Sequence, residues 1–324
     1  MSWFDDLPES VCRRRAPLGP LTWFKLGGPA EYLMSPRSTE ELASIIRCCR
    51  DSGMPIRFLG LGANVIVADE GIAGAVIRLD GPAFIDVKID GRRVFAGAGV
   101  DMTKLVRRLV REGLSGLEHL AGIPGTVGGG ISMNCGGKYG EIATAVEQVD
   151  VIGPDGQAYT RDRDDLEFEY RQCALNGDCV VGATFKLTPI DPAELDRLFR
   201  EIWMYKQNTQ PPLGAQSVGC IFRNPDGRSA GQIIDAAGLK GQRLGSAYVS
   251  DRHANFVLAD PGGKARDVID LIQLITQRVE EHCGIRLEPE VKIWSDELEK
   301  VTGGPADALS RRKHSVRCTP AAKV

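Results

Sequence analysis

The stretch AGIPGTVGGGISMNCGG, Ala121–Gly137, constrains this chain more than any other. Seven of its residues are glycine and none is charged. Glycine reaches backbone angles closed to other residues and lets the main chain come close to a ligand. Successive free N–H groups in such a turn form a concave nest for anions, phosphate above all. Pro124 stiffens the entry, because its ring fixes one dihedral. Ile123, Val127, Ile131 and Met133 argue that the loop is buried, and a buried loop must satisfy its backbone polar groups. A diphosphate ligand does that; the alternative is an ordinary glycine-rich surface turn. A second turn, Gly60-Leu61-Gly62-Ala63-Asn64, lies between a strand expected over 56–59 and an apolar run over 65–68. A Rossmann fingerprint needs a third glycine and a helix directly after the turn. This turn has neither, so it reads as a second phosphate cradle.

Two cradles need a substantial scaffold, and 324 residues suffice for two domains with their own cores. The 43% hydrophobic and 26% charged content is that of an ordinary globular protein. A formal net charge of −3 gives no electrostatic case for nucleic acid or an anionic membrane as the main partner. No apolar run approaches the roughly 18 residues of a membrane span. The opening MSWFDDLPES carries acids where a signal peptide carries positive charge. A cytoplasmic protein without membrane insertion is the expectation. Nine cysteines lack C-x-x-C spacing and four histidines lack a zinc-protease pattern, so reduced thiols and no metal are expected.

The pattern divides the chain into an irregular lead-in over 1–20, a first domain over 21–190, a second over 191–300, and a disordered basic tail over 301–324. Short strands are expected over 22–28 and 31–35. Ser38 and Glu41 form a capping box ahead of the stripe Leu42, Ile45, Ile46 and Cys49. Asp101 caps a helix with Leu105, Val106, Leu109 and Val110 on one face. Strands follow over 146–152, 157–160, 165–170 and 179–187, until Pro189 and Pro192 break the pattern. Helices are expected over 191–207, 230–237 and 267–283, with a closing strand over 287–294.

Three isolated positions carry possible chemistry. Arg171, at the end of an expected strand, has a fork of donors suited to carboxylates and to developing negative charge; a solvated surface arginine is the alternative. Cys220, in SVGCIFRNP, alternates with Ile221 and is placed to give up a proton; the alternative is a small buried hydrophobe. Glu290, in LEPEV, alternates with Val291, and a solvated glutamate is the alternative there.

Taken in order, TWFKLGGPAEYL, FLGLGANVIVAD, GLSGLEHLAGIPGTVGGGISMN, EYRQC, VGCIFRNP, AGLKGQRLGSAYVSDRHANFVL and LEPEV resemble one family, the UDP-N-acetylenolpyruvoylglucosamine reductases of peptidoglycan precursor synthesis. These pieces run from about Thr22 to Val291. The resemblance implies an α+β fold, with a vanillyl-alcohol-oxidase-type FAD-binding domain followed by a smaller α+β substrate domain. It implies that Gly60, Gly62, Ala63 and Asn64, with Gly122, Ile123, Pro124, Gly125, Thr126, Gly128 and Gly129, hold the FAD diphosphate. No histidine lies in either loop to tether the flavin, so the FAD is expected to be non-covalent.

The implied reaction has two halves. NADPH reduces FAD, and hydride then passes to C3 of the enolpyruvyl group of UDP-N-acetylglucosamine enolpyruvate while a side chain protonates C2. Position by position, Arg171 and Glu290 would stabilise the enolate-like intermediate, and the proton donor falls on Cys220, where many members have serine. Arg223, replacing the usual lysine, and Asn224 would contact substrate. Ala63 stands where serine is usual, and Lys138 in NCGGKYG departs from the common pattern. The short connection from Arg171 to Leu187 resembles the shorter subclass.

Two rivals remain at this point. One is another FAD-dependent oxidase or dehydrogenase of the same cofactor fold, whose reduced form would react quickly with oxygen. The other is a non-catalytic FAD or nucleotide-sugar binder, for which Cys220→Ala would leave activity unchanged.

Overall fold

The computed structural model describes residues 7–225 and 227–296. The tail expected over 301–324 lies outside the described residues. Helix α1 (Thr39–Asp51) starts at Ser38, whose Oγ accepts the Glu41 N–H at 3.2 Å. The Glu41 carboxylate turns back to accept the Arg37 N–H at 2.6 Å, so the capping box closes one residue earlier than the motif usually does. Its stripe of Leu42, Ile45, Ile46 and Cys49 is buried against Tyr32, Met34, Ala75 and Ile77. Those four residues belong to a sheet ordered Cys12–Pro17, Pro29–Met34, Ile72–Ile77, Ile56–Phe58.

The strand Cys12–Pro17 corrects the expected irregular lead-in over 1–20. It runs antiparallel to Pro29–Met34 at the sheet edge, with Cys12 and Ala16 buried and Arg13, Arg14 and Arg15 exposed. Three consecutive arginines mask the alternation in the sequence, although charge on an exposed edge is how sheets avoid pairing with other chains. In the opposite sense, the segment over 22–28 is no strand. Its Trp23 N–H bonds the Gly62 carbonyl at 3.0 Å, and Lys25 takes φ +58°.

A five-stranded antiparallel sheet follows, ordered Ala158–Asp162, Val146–Ile152, Cys179–Lys186, Arg93–Gly97, Val87–Asp90. Helix α2 (Met102–Arg111), capped by Asp101, buries Leu105, Val106, Leu109 and Val110 in the same core as this sheet. The short α3 (Val127–Ser132) and the long α4 (Pro192–Thr209) complete that core, with Leu195 of α4 fully buried in it. The boundary expected at 190 thus falls just before a helix whose first turns pack into the first unit.

The second unit sets α5 (Ala230–Ala236) and α6 (Ala265–Cys283) on a sheet of Arg243–Leu244, Ala247–Val249 and Val257–Ala259. Val268, Leu271, Ile272, Ile275 and Val279 of α6 are buried, each contributing about 1.5–3 kcal/mol of transfer free energy. Two features join this unit to the first. The Asp69 carboxylate accepts the Ala265 and Arg266 N–H groups at 2.9 and 3.0 Å, capping α6 from outside its own unit. The strand expected over 287–294 is regular only over Lys292–Trp294, where it pairs in parallel with Val65–Val67, directly after the first glycine turn.

Candidate active site

The two glycine turns meet. A Cβ on Gly60 would stand 2.6 Å from Thr126 Oγ1, so only glycine allows this approach. Thr126 itself caps α3, its Oγ1 accepting the Gly129 N–H at 3.3 Å. Gly125 takes φ +147°, which side-chain-bearing residues rarely adopt, and faces open space. The run expected as a buried loop is therefore helical over Val127–Ser132. The N–H groups of Val127 and Gly128 bond the Val100 and Ala98 carbonyls at 2.9 and 2.8 Å. Gly128 and Gly129 thus have no free N–H to offer a ligand, since the Gly129 N–H is taken by Thr126 Oγ1.

The remaining donors are concentrated. None of the N–H groups of Gly60, Leu61, Gly62, Ala63, Asn64, Gly122, Gly125 or Thr126 donates to an acceptor among the described residues. Buried or half-buried main-chain donors require partners, and two converging rows of them suit the anionic oxygens of a diphosphate. The donor set and the glycine contact at Gly60 fit the diphosphate of FAD. Helix α4 closes one side of this cradle. Lys206 Nζ donates to the Ala121 carbonyl at 2.5 Å, and Trp203 lies beside Gly122. Burial lowers the Lys206 pKa from 10.5 to about 8; Cys135 opposes the shift and Arg171 adds to it.

Arg171, Cys220 and Glu290 come together from three distant segments. Arg171 occupies the two-residue turn of the hairpin Phe168–Glu169/Gln172–Cys173, not a strand end, and takes φ +59°. A non-glycine residue held there costs free energy that the surroundings must offset, which is common at functional sites. Its Nε donates to Glu290 Oε1 at 2.9 Å, and both side chains are only 15% exposed. Nη1 stands 4.0 Å from Glu141 Oε1, while Nη2 has no partner among the described residues.

Glu290 is fixed by its own backbone, its N–H bonding the Ile221 carbonyl at 2.7 Å beside Cys220. Cys220 bridges Phe256, and Phe222 bridges Pro289, so the Cys220–Phe222 segment lies between the two. Burial raises the Glu290 carboxyl above its ordinary range, with Arg171 pulling it back. Burial also pushes the Cys220 thiol up to about 12; Glu290 adds to this and Arg171 opposes it. The thiol is thus protonated at neutral pH. Three residues before it, Ser217 Oγ is buried with no hydrogen-bond partner among the described residues.

Cradle and triad adjoin. Asn64 Nδ2 lies 3.4 Å from the Glu290 carbonyl, and the Lys292 N–H bonds the Asn64 carbonyl at 3.0 Å. Asn224 is partly committed to structure, since its Oδ1 accepts the Ala230 N–H at the start of α5 at 2.9 Å. Arg223 anchors by its N–H to the Glu288 carbonyl and sits close enough to oppose the rise in the Glu290 pKa. Sequence reasoning missed Asn134, Glu141 and Lys206. Asn134, with φ +40° and 1% exposure, donates to Glu141 Oε2 at 2.8 Å and to the Glu169 carbonyl at 2.9 Å.

Known proteins match this chain in sequence and in fold. Residues 30–161 match the FAD binding domain family, and residues 210–294 match the C-terminal domain of UDP-N-acetylenolpyruvoylglucosamine reductase. UDP-N-acetylenolpyruvoylglucosamine reductase 2 of Symbiobacterium thermophilum is 40% identical over 284 residues, covering 87% of this chain and 92% of that protein. The reductase of Heliobacterium modesticaldum is 39% identical, covering 92% and 96% respectively. The crystal structure of the Thermus caldophilus reductase superposes with a TM-score of 0.76 at 37% identity, covering 88% of this chain and 98% of that one.

Proposed function

The chain belongs to the UDP-N-acetylenolpyruvoylglucosamine reductase family, and from that premise we propose that Arg171, Cys220 and Glu290 carry its chemistry. The reaction is the NADPH-dependent reduction of UDP-N-acetylglucosamine enolpyruvate to UDP-N-acetylmuramate, a step of peptidoglycan precursor synthesis. FAD is the cofactor and NADPH the co-substrate. When bound, FAD accepts hydride from NADPH and supplies hydride to C3 of the enolpyruvyl group.

The chain's own residues do the rest. The free N–H groups of residues 60–64, with those of Gly122, Gly125 and Thr126, bind the diphosphate without covalent attachment. Ile123, Pro124, Gly128 and Gly129 shape the cradle. As C3 gains hydride, the C2–C3 π pair moves toward C2 and the neighbouring carboxylate. Arg171 meets that charge with the guanidinium edge that Glu290 leaves free, and preorganised donors of this kind are the largest single contribution in many enzymes. Cys220 gives the thiol proton to C2, and solvent reprotonates the thiolate. A thiol pushed up to about 12 is a weaker acid than a free one but remains protonated until the carbanionic carbon forms. Arg223 and the Asn224 amide hold the substrate.

The observation that carries this reading is the 2.9 Å contact of Arg171 with Glu290, 119 residues apart, with Cys220 in the same charge cluster. We assign residues 21–190 to the FAD-binding domain and 191–300 to the substrate domain, with α4 as the element they share. Among the described residues no helix is long and apolar enough to cross a membrane. A cytoplasmic location without a nucleic-acid partner fits a reaction that consumes NADPH and a nucleotide sugar. The reaction run in D₂O with unlabelled NADPH tests the proton path. Proton NMR of the product should show the C2 proton signal lost to deuterium, and a C2 proton retained at full intensity would overturn it.

A further inference from the structure

Arg171 has a carboxylate on each side. Glu290 takes its Nε at 2.9 Å, and Glu141 faces Nη1 at 4.0 Å. Glu141 is itself held. Its Oε2 accepts the Asn134 Nδ2 at 2.8 Å, and the same amide nitrogen bonds the Glu169 carbonyl, two residues before Arg171, at 2.9 Å. The Asn134 Oδ1 accepts the Ala143 N–H at 3.3 Å, which pins the asparagine to the chain just beyond Glu141. Asn134 is buried and sits at positive φ, as does Arg171. One buried amide thus ties together the hairpin that carries Glu141, the hairpin that carries Arg171 and the segment leading out of the glycine cradle.

We propose that Asn134 and Glu141 form a positioning pair that holds the Arg171 guanidinium with its Nη2 edge turned to the substrate. The inference rests on the reading of Arg171 as the group that meets negative charge during enolpyruvyl reduction. With only Glu290 and the Tyr170 ring, 4.9 Å from the guanidinium carbon, nothing stops the guanidinium closing into a two-pronged pair with that carboxylate, the geometry arginine favours. That closed pair would occupy the edge the substrate needs. Glu141, fixed by Asn134, opposes it by attracting Nη1 from the other side. Among the described residues no side-chain hydrogen bond of Asn134 or Glu141 reaches the two amide rows, so the pair acts on one half of the reaction only.

The test compares the two half-reactions in wild-type and Glu141→Gln holoprotein under anaerobic stopped flow. Glutamine keeps an oxygen for Asn134 and loses the charge facing Arg171. Reduction by NADPH should stay within about twofold, while reoxidation by UDP-N-acetylglucosamine enolpyruvate should slow by roughly 10- to 100-fold, the usual loss when a reacting group is misplaced by about an ångström. Glu141→Asp should recover part of the loss. Equal slowing of both halves, loss of bound FAD, or unchanged reoxidation would each overturn the positioning role. A wild-type protein that NADPH reduces but the substrate does not reoxidise would overturn the functional reading itself, and this inference with it.

Discussion

The cradle and the triad do adjoining jobs with opposite materials. The cradle is main chain, two rows totalling eight N–H groups without a partner among the described residues, in turns whose side chains contribute little. The triad is side chain, three groups brought from residues 171, 220 and 290. A backbone site tolerates most substitutions and fails where a Cβ enters. A side-chain site fails one function at a time, at whichever group is removed.

The sharpest way to break the comparison lies at Gly60. Gly60→Val puts a branched side chain where even a Cβ would meet Thr126 Oγ1 at 2.6 Å. The purified variant should carry no flavin absorbance and show no activity with either ligand, while its far-UV circular dichroism remains native-like. Flavin retained at wild-type occupancy would contradict the cradle.

Next in size is Cys220→Ala. Loss of a positioned proton donor costs roughly 10²- to 10⁴-fold, so substrate turnover should fall by that order while NADPH-driven bleaching persists. Cys220→Ser should keep most turnover. Arg171→Met should slow reoxidation by roughly 10²- to 10³-fold, the loss seen when one donor to a developing oxyanion is deleted, again sparing reduction.

The smallest effect is at Lys206. Its pKa falls from 10.5 unfolded to about 8 folded, because burial disfavours the cation. Between those two values the unfolded chain holds the extra proton, so the lysine's contribution makes stability rise with pH across that window and nowhere else. Lys206→Met should flatten the Tm-against-pH curve there relative to wild type. Identical curves would mean the folded lysine titrates normally.

The sequence made the cradle far easier to read than the triad's surroundings. Seven glycines in seventeen residues mark a backbone site directly, because only glycine permits that chain path. Helices with regular stripes, such as α2 and α6, were equally legible. The strand Cys12–Pro17 was not, since Arg13–Arg15 hide its period. The glycine run was read as one loop, but Thr126 caps it into a helix from Val127. Arg171, Cys220 and Glu290 acquired meaning only as a set, through resemblance, because each alone is an ordinary residue in an ordinary strand pattern. Asn134 and Glu141 left no local signal. Their roles depend on a tertiary approach between two hairpins, and neither residue type nor spacing records it.

The central claim is that this cradle and this triad act on one hydride path. An anaerobic absorbance titration of the FAD-loaded protein tests it most directly. NADPH should bleach the flavin bands, and UDP-N-acetylglucosamine enolpyruvate should then restore them stoichiometrically. Bleaching that the substrate does not reverse would contradict the account.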